Sequence, residues 1–125
     1  MKIVIPVSSG NVSTVFDFAQ HILLVECDSG KELRRTELAI EDSIPLNRAR
    51  HLEALETNVL ICGAISRILY EHLETSGIEV VPFISGPIDA VLRAYLEGGL
   101  DPQHFLMPGS TAAQQRQWRS RHSPH

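Results

Sequence analysis

Cys62 joins a reactive side chain to a place in the chain where ligands are commonly bound. It ends the apolar run Val59-Leu60-Ile61 and is followed by Gly63-Ala64-Ile65-Ser66-Arg67. The run is short, branched and without polar alternation, the pattern of a strand buried on both faces of a parallel sheet. Helical spacing begins near Ser66. A turn from the carboxyl end of a parallel strand into a helix is where open α/β sheets bind ligands. A thiol facing such a crevice would be a soft metal ligand, its pKa held below the usual value of about 8.5 by the helix N-terminus. The same residues also describe a small buried hydrophobe under a structural turn, and the pattern leaves both readings open. Gly63 is expected to permit a tight turn.

Two further loops share this character, Ser8-Ser9-Gly10-Asn11 and Ser85-Gly86-Pro87. If all three meet, N–H groups at two helix starts would face one crevice, with Arg67 as an added cation. That suits an anion. The expected site is Ser8, Ser9, Gly10, Asn11, Cys62, Gly63, Ala64, Ser66, Arg67, Ser85 and Gly86, with Cys62 the candidate metal ligand.

Other chemistries find less support. No C-x-x-C occurs, and no His-x3-His pair lies on one helix. Two-metal hydrolysis needs carboxylates on central strands, yet Lys2–Val7 and Asn58–Cys62 carry none. Asp17 is the one acid near the expected crevice loops. A cysteine nucleophile would need a base that the sequence does not place nearby. No phosphate-binding glycine motif is present. A binding protein is therefore expected rather than an enzyme.

The elements that must position the site follow from the hydrophobic pattern. Lys2–Val7 reads as a strand. A second strand lies within Val15–Cys27, turns at Asp28-Ser29-Gly30-Lys31, and returns as Glu32–Ile40. Pro45 suits a first helical turn, and Leu46, Ala49, Leu52 and Leu55 follow at near-helical spacing. After strand Asn58–Cys62, Ile65, Ile68, Leu69, His72 and Leu73 predict one helical face, stopped by Gly77. Ile78–Phe83 predicts a strand, and Ile88, Val91, Leu92, Tyr95 and Leu96 a third apolar helical stripe. The order β-β-β-α-β-α-β-α predicts an α/β fold with a mixed five-stranded sheet and three helices, the first strand central.

The chain has 125 residues, enough for one domain with a proper core. Its charge is uneven. Residues 111–125 carry Arg116, Arg119 and Arg121 and no acid, whereas residues 1–110 carry fifteen acids against eight bases. An acidic body argues against broad nucleic-acid binding. The basic end, poor in apolar residues, is expected to be a disordered tail behind a single domain over 1–110. No run is long enough to span a membrane and no export signal is visible, so a cytoplasmic protein with reduced cysteines is expected.

Met1-Lys2-Ile3-Val4-Ile5-Pro6-Val7, with Val12-Ser13 and Val15-Phe16-Asp17-Phe18-Ala19, resembles the opening of the nitrogenase iron–molybdenum cofactor biosynthesis family. Ile61-Cys62-Gly63-Ala64-Ile65-Ser66 resembles its central motif. Gly77-Ile78-Glu79-Val80, Gly86, Ala94-Tyr95-Leu96 and Phe105-Leu106-Met107-Pro108-Gly109 resemble its later blocks. The resemblance runs in order over roughly residues 1–110. It implies a ribonuclease-H-like fold and a carrier or accessory protein for an anionic metal–sulfur cluster, such as an iron–molybdenum cofactor precursor. It also implies a cluster-assembly protein as partner. The alternative is a regulatory module that binds a small anion or a protein without a cluster. Two positions depart from the family's pattern. Many members carry a histidine soon after the first loop, whereas here His21 comes several residues on, inside an expected strand. Several members continue Met-Pro-Gly with Cys, where this chain has Ser110. With one soft ligand fewer, loading is expected to be weak and reversible.

Overall fold

The computed structural model describes residues 1–98 and residue 105. The readings made for residues 106–125, including the basic tail, lie outside the described residues. The elements are β1 (Lys2–Ser8), β2 (Asn11–Val12), β3 (His21–Asp28), β4 (Lys31–Ala39), α1 (Pro45–Ala54), β5 (Val59–Ile61), α2 (Arg67–Thr75), β6 (Glu79–Val81) and α3 (Ile88–Leu96). One 3₁₀ turn, Phe16–Phe18, precedes β3. Among the described residues no helix is long and apolar enough to cross a membrane.

The sheet runs β4-β3-β1-β5-β6, with β2 paired to the end of β1. The first strand is central, as its apolar run predicts, because Ile3, Val4 and Ile5 are fully buried and need cover on both faces. β3 and β4 are antiparallel additions on one side, and β5 and β6 parallel ones on the other. There are six strands rather than the expected five. The extra strand, β2, has two residues and is too short for alternation to reveal.

Both hairpins close on Ser-Gly pairs. Ser9-Gly10 joins β1 to β2 and Ser29-Gly30 joins β3 to β4, all four with φ between 52° and 79°. Positive φ at both central residues is the turn whose twist matches that of paired strands. Each glycine takes up this geometry without steric cost.

Each face of the sheet has its own core. α1 and α2 cover Val4, Ile22, Leu60 and Val80 with Ala49, Leu52, Leu69, Tyr70 and Leu73. α3 covers Ile3, Ile5, Leu23, Val25, Ile61 and Val81 with Ile88, Val91 and Leu92. Pro45 stands in the first turn of α1 as predicted. The predicted stripe of α2 needs correction. Leu69, Tyr70 and Leu73 point inward, while Ile68 is 57% exposed.

Pro6 decides what happens at the end of β1. It has no N–H to give a neighbour. The β1–β5 ladder pairs Ile3 with Val59 and Val4 with Leu60 and then ends. The carbonyl of Pro6 accepts instead from Ser13 N at 2.8 Å. The segment after β2 thus enters the gap between β1 and the chain leaving β5. Ala64 N donates to Thr14 O and Phe16 N donates to Ala64 O, each at 2.8 Å. Gly63 lies against this segment, and a Cβ there would stand 2.6 Å from Thr14 O and 2.7 Å from Ser13 O. Its lack of a side chain therefore serves close backbone approach rather than the tight turn expected. Gly63→Ala should destabilise the fold by about 1–3 kcal/mol, because the obstructing atoms are backbone and cannot step aside. Urea unfolding measures this, and an unchanged midpoint would contradict the packing described.

Candidate functional site

The three expected loops do converge, but they close on one another. Val12 N donates to Gly86 O at 2.9 Å and Ile88 N to Gly10 O at 3.0 Å, and Asn11 bridges to Pro87. Ser85 N donates to Phe105 O at 2.7 Å. At the start of α2, Ser66 N donates to Asp17 Oδ1 at 2.8 Å, while Ser66 Oγ accepts from Leu69 N at 3.3 Å. The anion that this helix N-terminus attracts is thus the protein's own Asp17 carboxylate. The backbone donors expected to face a ligand at Ala64, Ser66 and Ser85 are already engaged, as is that of Ile88 at the start of α3.

Cys62 is 0% exposed and packs with Val4, Phe16, Leu60 and Leu69 on the α1–α2 face. Burial, with Asp17 as a secondary cause, pushes its thiol up, out of the usual cysteine range. This is the buried-hydrophobe alternative. The lowered pKa expected of a crevice thiol does not arise. Cys27 is buried as well.

An open cleft of about 540 Å³ lies instead at the carboxyl end of β1, between the β1–β2 turn and the start of β3. Val7, Ser8, Ser9, Gly10 and Ser13 form one wall, and Phe18, Ala19, Gln20, His21 and Glu37 the other. Of the predicted site residues, Ser8, Ser9 and Gly10 line it. Asn11 stands beside it, its Nδ2 donating to Ser9 O at 3.2 Å. Cys62, Gly63, Ala64, Ser66, Arg67, Ser85 and Gly86 lie elsewhere, and Arg67 is half-buried in the first turn of α2.

His21 and Glu37 are the titratable groups of the cleft, with Nδ1 and Oε2 3.7 Å apart. His21 is the first residue of β3. It stands opposite Ala39, two places from the Leu23–Glu37 pair, and therefore on the same face of the sheet. Phe18 is 77% exposed, which is unusual for an aromatic ring on a surface turn. The wall it stands on is held from behind by Arg48 of α1. That side chain is 2% exposed. Its guanidinium donates to Phe16 O at 3.0 Å and Ala19 O at 2.8 Å, and lies 5.6 Å from the Phe16 ring centre. Burial pulls its pKa down, opposed by Asp17 and Asp42. A buried cation held by carbonyls is expensive, and it fixes the backbone on either side of Phe18. Sequence spacing could have shown it, since Arg48 falls on the inward stripe between Pro45 and Leu52. Ser13, Gln20 and Glu37 gave no such signal.

The sequence profile of the dinitrogenase iron-molybdenum cofactor family matches residues 1–98. The chain belongs to that family. The architecture agrees with solved structures that are similar in fold at low identity. PH0822 is 20% identical with a TM-score of 0.76, over 81% of this chain and 93% of that one. MJ0327 of Methanocaldococcus jannaschii, labelled a dinitrogenase candidate, is 20% identical with a TM-score of 0.68, over 81% and 92%. TM1290 of Thermotoga, labelled a NifB candidate, is 18% identical with a TM-score of 0.62, over 89% and 96%. No curated protein matches the sequence. Membership bears out the resemblance read from residues 1–7, 12–19 and 61–66, and the likeness in fold bears out the mixed α/β class.

Cys62 should resist alkylation in the native protein and react only on unfolding. Because folding raises its pKa, its contribution is intact below the unfolded value of about 8.5 and declines above it, as the unfolded state alone loses the proton. Thiol labelling across pH 7–9.5, alongside urea melts, checks both points. Rapid labelling of folded protein would overturn the buried assignment.

Proposed function

We propose that this protein is a transient carrier for an anionic metal–sulfur cargo in iron–molybdenum cofactor assembly, and that it binds without turnover. The observation that supports this reading is the cleft at the end of β1. It gathers three serines, Gln20 and one imidazole in a member of a cofactor family. Sulfide surfaces accept from O–H and N–H donors, and a neutral imidazole is a common metal ligand. The donor set does not fit a permanently held cluster. Among the described residues no group of three or more His, Cys, Asp and Glu could hold a metal, and both cysteines are buried. Weak attachment suits cargo that must be released. Family membership supplies the cofactor theme, and the cleft's donor set supports the choice of cargo.

A second reading has its own support. Phe18 at the cleft wall is largely exposed, and an exposed aromatic beside polar groups also suits a protein surface, bound without any cluster.

Anaerobic incubation with tetrathiomolybdate and ferrous iron, followed by desalting and elemental analysis, separates the two. The carrier reading expects sub-stoichiometric metal on the wild type, a loss of about tenfold in His21→Ala, and no change in Cys62→Ala. Wild-type protein that retains no metal leaves the second reading in its place. Loading lost in Cys62→Ala but not in His21→Ala would move the cargo away from this cleft.

A further inference from the structure

The longest unpaired backbone edge among the described residues belongs to β4. It pairs with β3 along one side only and stands at the end of the sheet order. The strand runs nine residues, Lys31–Ala39, and all but Leu38 are exposed. An edge this long is a template for another strand unless it is guarded. Guards are present. The register slips between the Glu26–Arg34 and Cys27–Glu32 pairs, leaving Leu33 as a bulged residue. Lys31, Glu32, Arg34, Arg35 and Glu37 add charge.

These charges have both signs, and their order is selective. Two copies of one strand pair antiparallel about a two-fold axis perpendicular to the sheet, so directly opposed residues share a face. The axis must therefore run between the strands, midway between one residue and its own copy. Centring it on Arg34, Arg35 or Glu37 sets like charges directly opposite, which is destabilising. Centring it on Thr36 sets two hydroxyls together. Arg35 then faces the partner subunit's Glu37, and Glu37 faces the partner subunit's Arg35. On the other face, the stem of Arg34 lies over the partner's Leu38.

We propose that the protein self-associates along β4 in this Thr36-centred antiparallel register, its own copy being the partner that the edge charges admit. Arg35 retains capacity for the contact. Its Nε and one N–H on each terminal nitrogen are engaged by Glu32 and Asp89. Two of the five guanidinium N–H donors are left. Glu37 also lines the cleft at the end of β1. Pairing thus brings the partner subunit's Arg35 to the rim of that cleft, beside Glu37 in its wall. That consequence rests on the carrier reading, since a cation at the rim would favour anionic cargo. The pairing itself does not depend on it.

Sedimentation of the full chain at low ionic strength tests the pairing without cargo. A reversible dimer with a Kd of roughly 10–100 μM is expected, weakened by added salt. Arg35→Glu and Glu37→Arg should each weaken it by about tenfold or more, as like charges then face each other on both sides of the axis. The double reversal R35E/E37R should recover most of the wild-type affinity, and circular dichroism checks that each variant folds. Thr36→Cys gives an independent readout, because cysteines on the axis should form an intersubunit disulfide under mild oxidation. A wild type that stays monomeric with Thr36→Cys uncrosslinked would overturn the proposal. A dimer that the double reversal fails to restore would overturn this register. Metal loading of the Arg35→Glu monomer, measured separately, bears only on the carrier reading.

Discussion

A proline in a central strand removes one donor, and the end of the sheet that carries the cleft is arranged around that loss. β1 pairs with β5 only through Ile3 and Val4. At Pro6 the ladder has no N–H to continue with. An unpaired gap beside a buried strand is costly unless its backbone groups find other partners. Here the chain supplies them itself, running Ser13–Phe16 into the gap and bonding it to Pro6 O and to both backbone groups of Ala64. Gly63 allows the approach. Filling the gap closes the crevice that the sheet topology would otherwise open between β1 and β5. The remaining opening lies on the other side of β1, where the β1–β2 turn stands away from β3.

Two charges are committed to holding this arrangement. Asp17 caps α2 through Ser66 N, and Arg48 reaches from α1 to the carbonyls of Phe16 and Ala19. Both act on the 3₁₀ turn that carries Phe18. The result is a rigid base under an exposed ring, with the cleft's polar groups on short, well-anchored turns rather than on long loops. Such anchoring matters for a cleft whose described lining holds a single imidazole, because a weak ligand set gains most from being ordered in advance.

Elements built on periodicity were legible in the sequence. The double-sided apolar run at Val59–Ile61, the Asp28–Lys31 turn and Pro45 at a helix start each report a local physical demand, and each predicted its element. The family was legible from ordered short motifs. The cleft was harder to see. A two-residue strand carries no alternation, so the segment after Gly10 looked like an open loop. Whether the N–H groups after Cys62 are free depends on Ser13–Phe16, almost fifty residues away in the chain, and no local pattern contains that information. Cys62 shows the same limit, since its residue type fits a core position as well as a ligand position. The pattern around His21 reads only as strand, although the first residue of a strand can still face a cleft. Its parity with Leu23 in the β3–β4 ladder decides the matter.

Amide chemical-shift mapping during an anaerobic titration with tetrathiomolybdate tests most directly whether cargo binds at the end of β1 and away from Cys62. The expected result is that the largest changes fall on Ser8, Ser9, Gly10, Ser13, Gln20 and His21, while the amides of Cys62 and Leu69 stay in place. Changes centred on Cys62–Arg67 with the β1–β2 turn unaffected would contradict it.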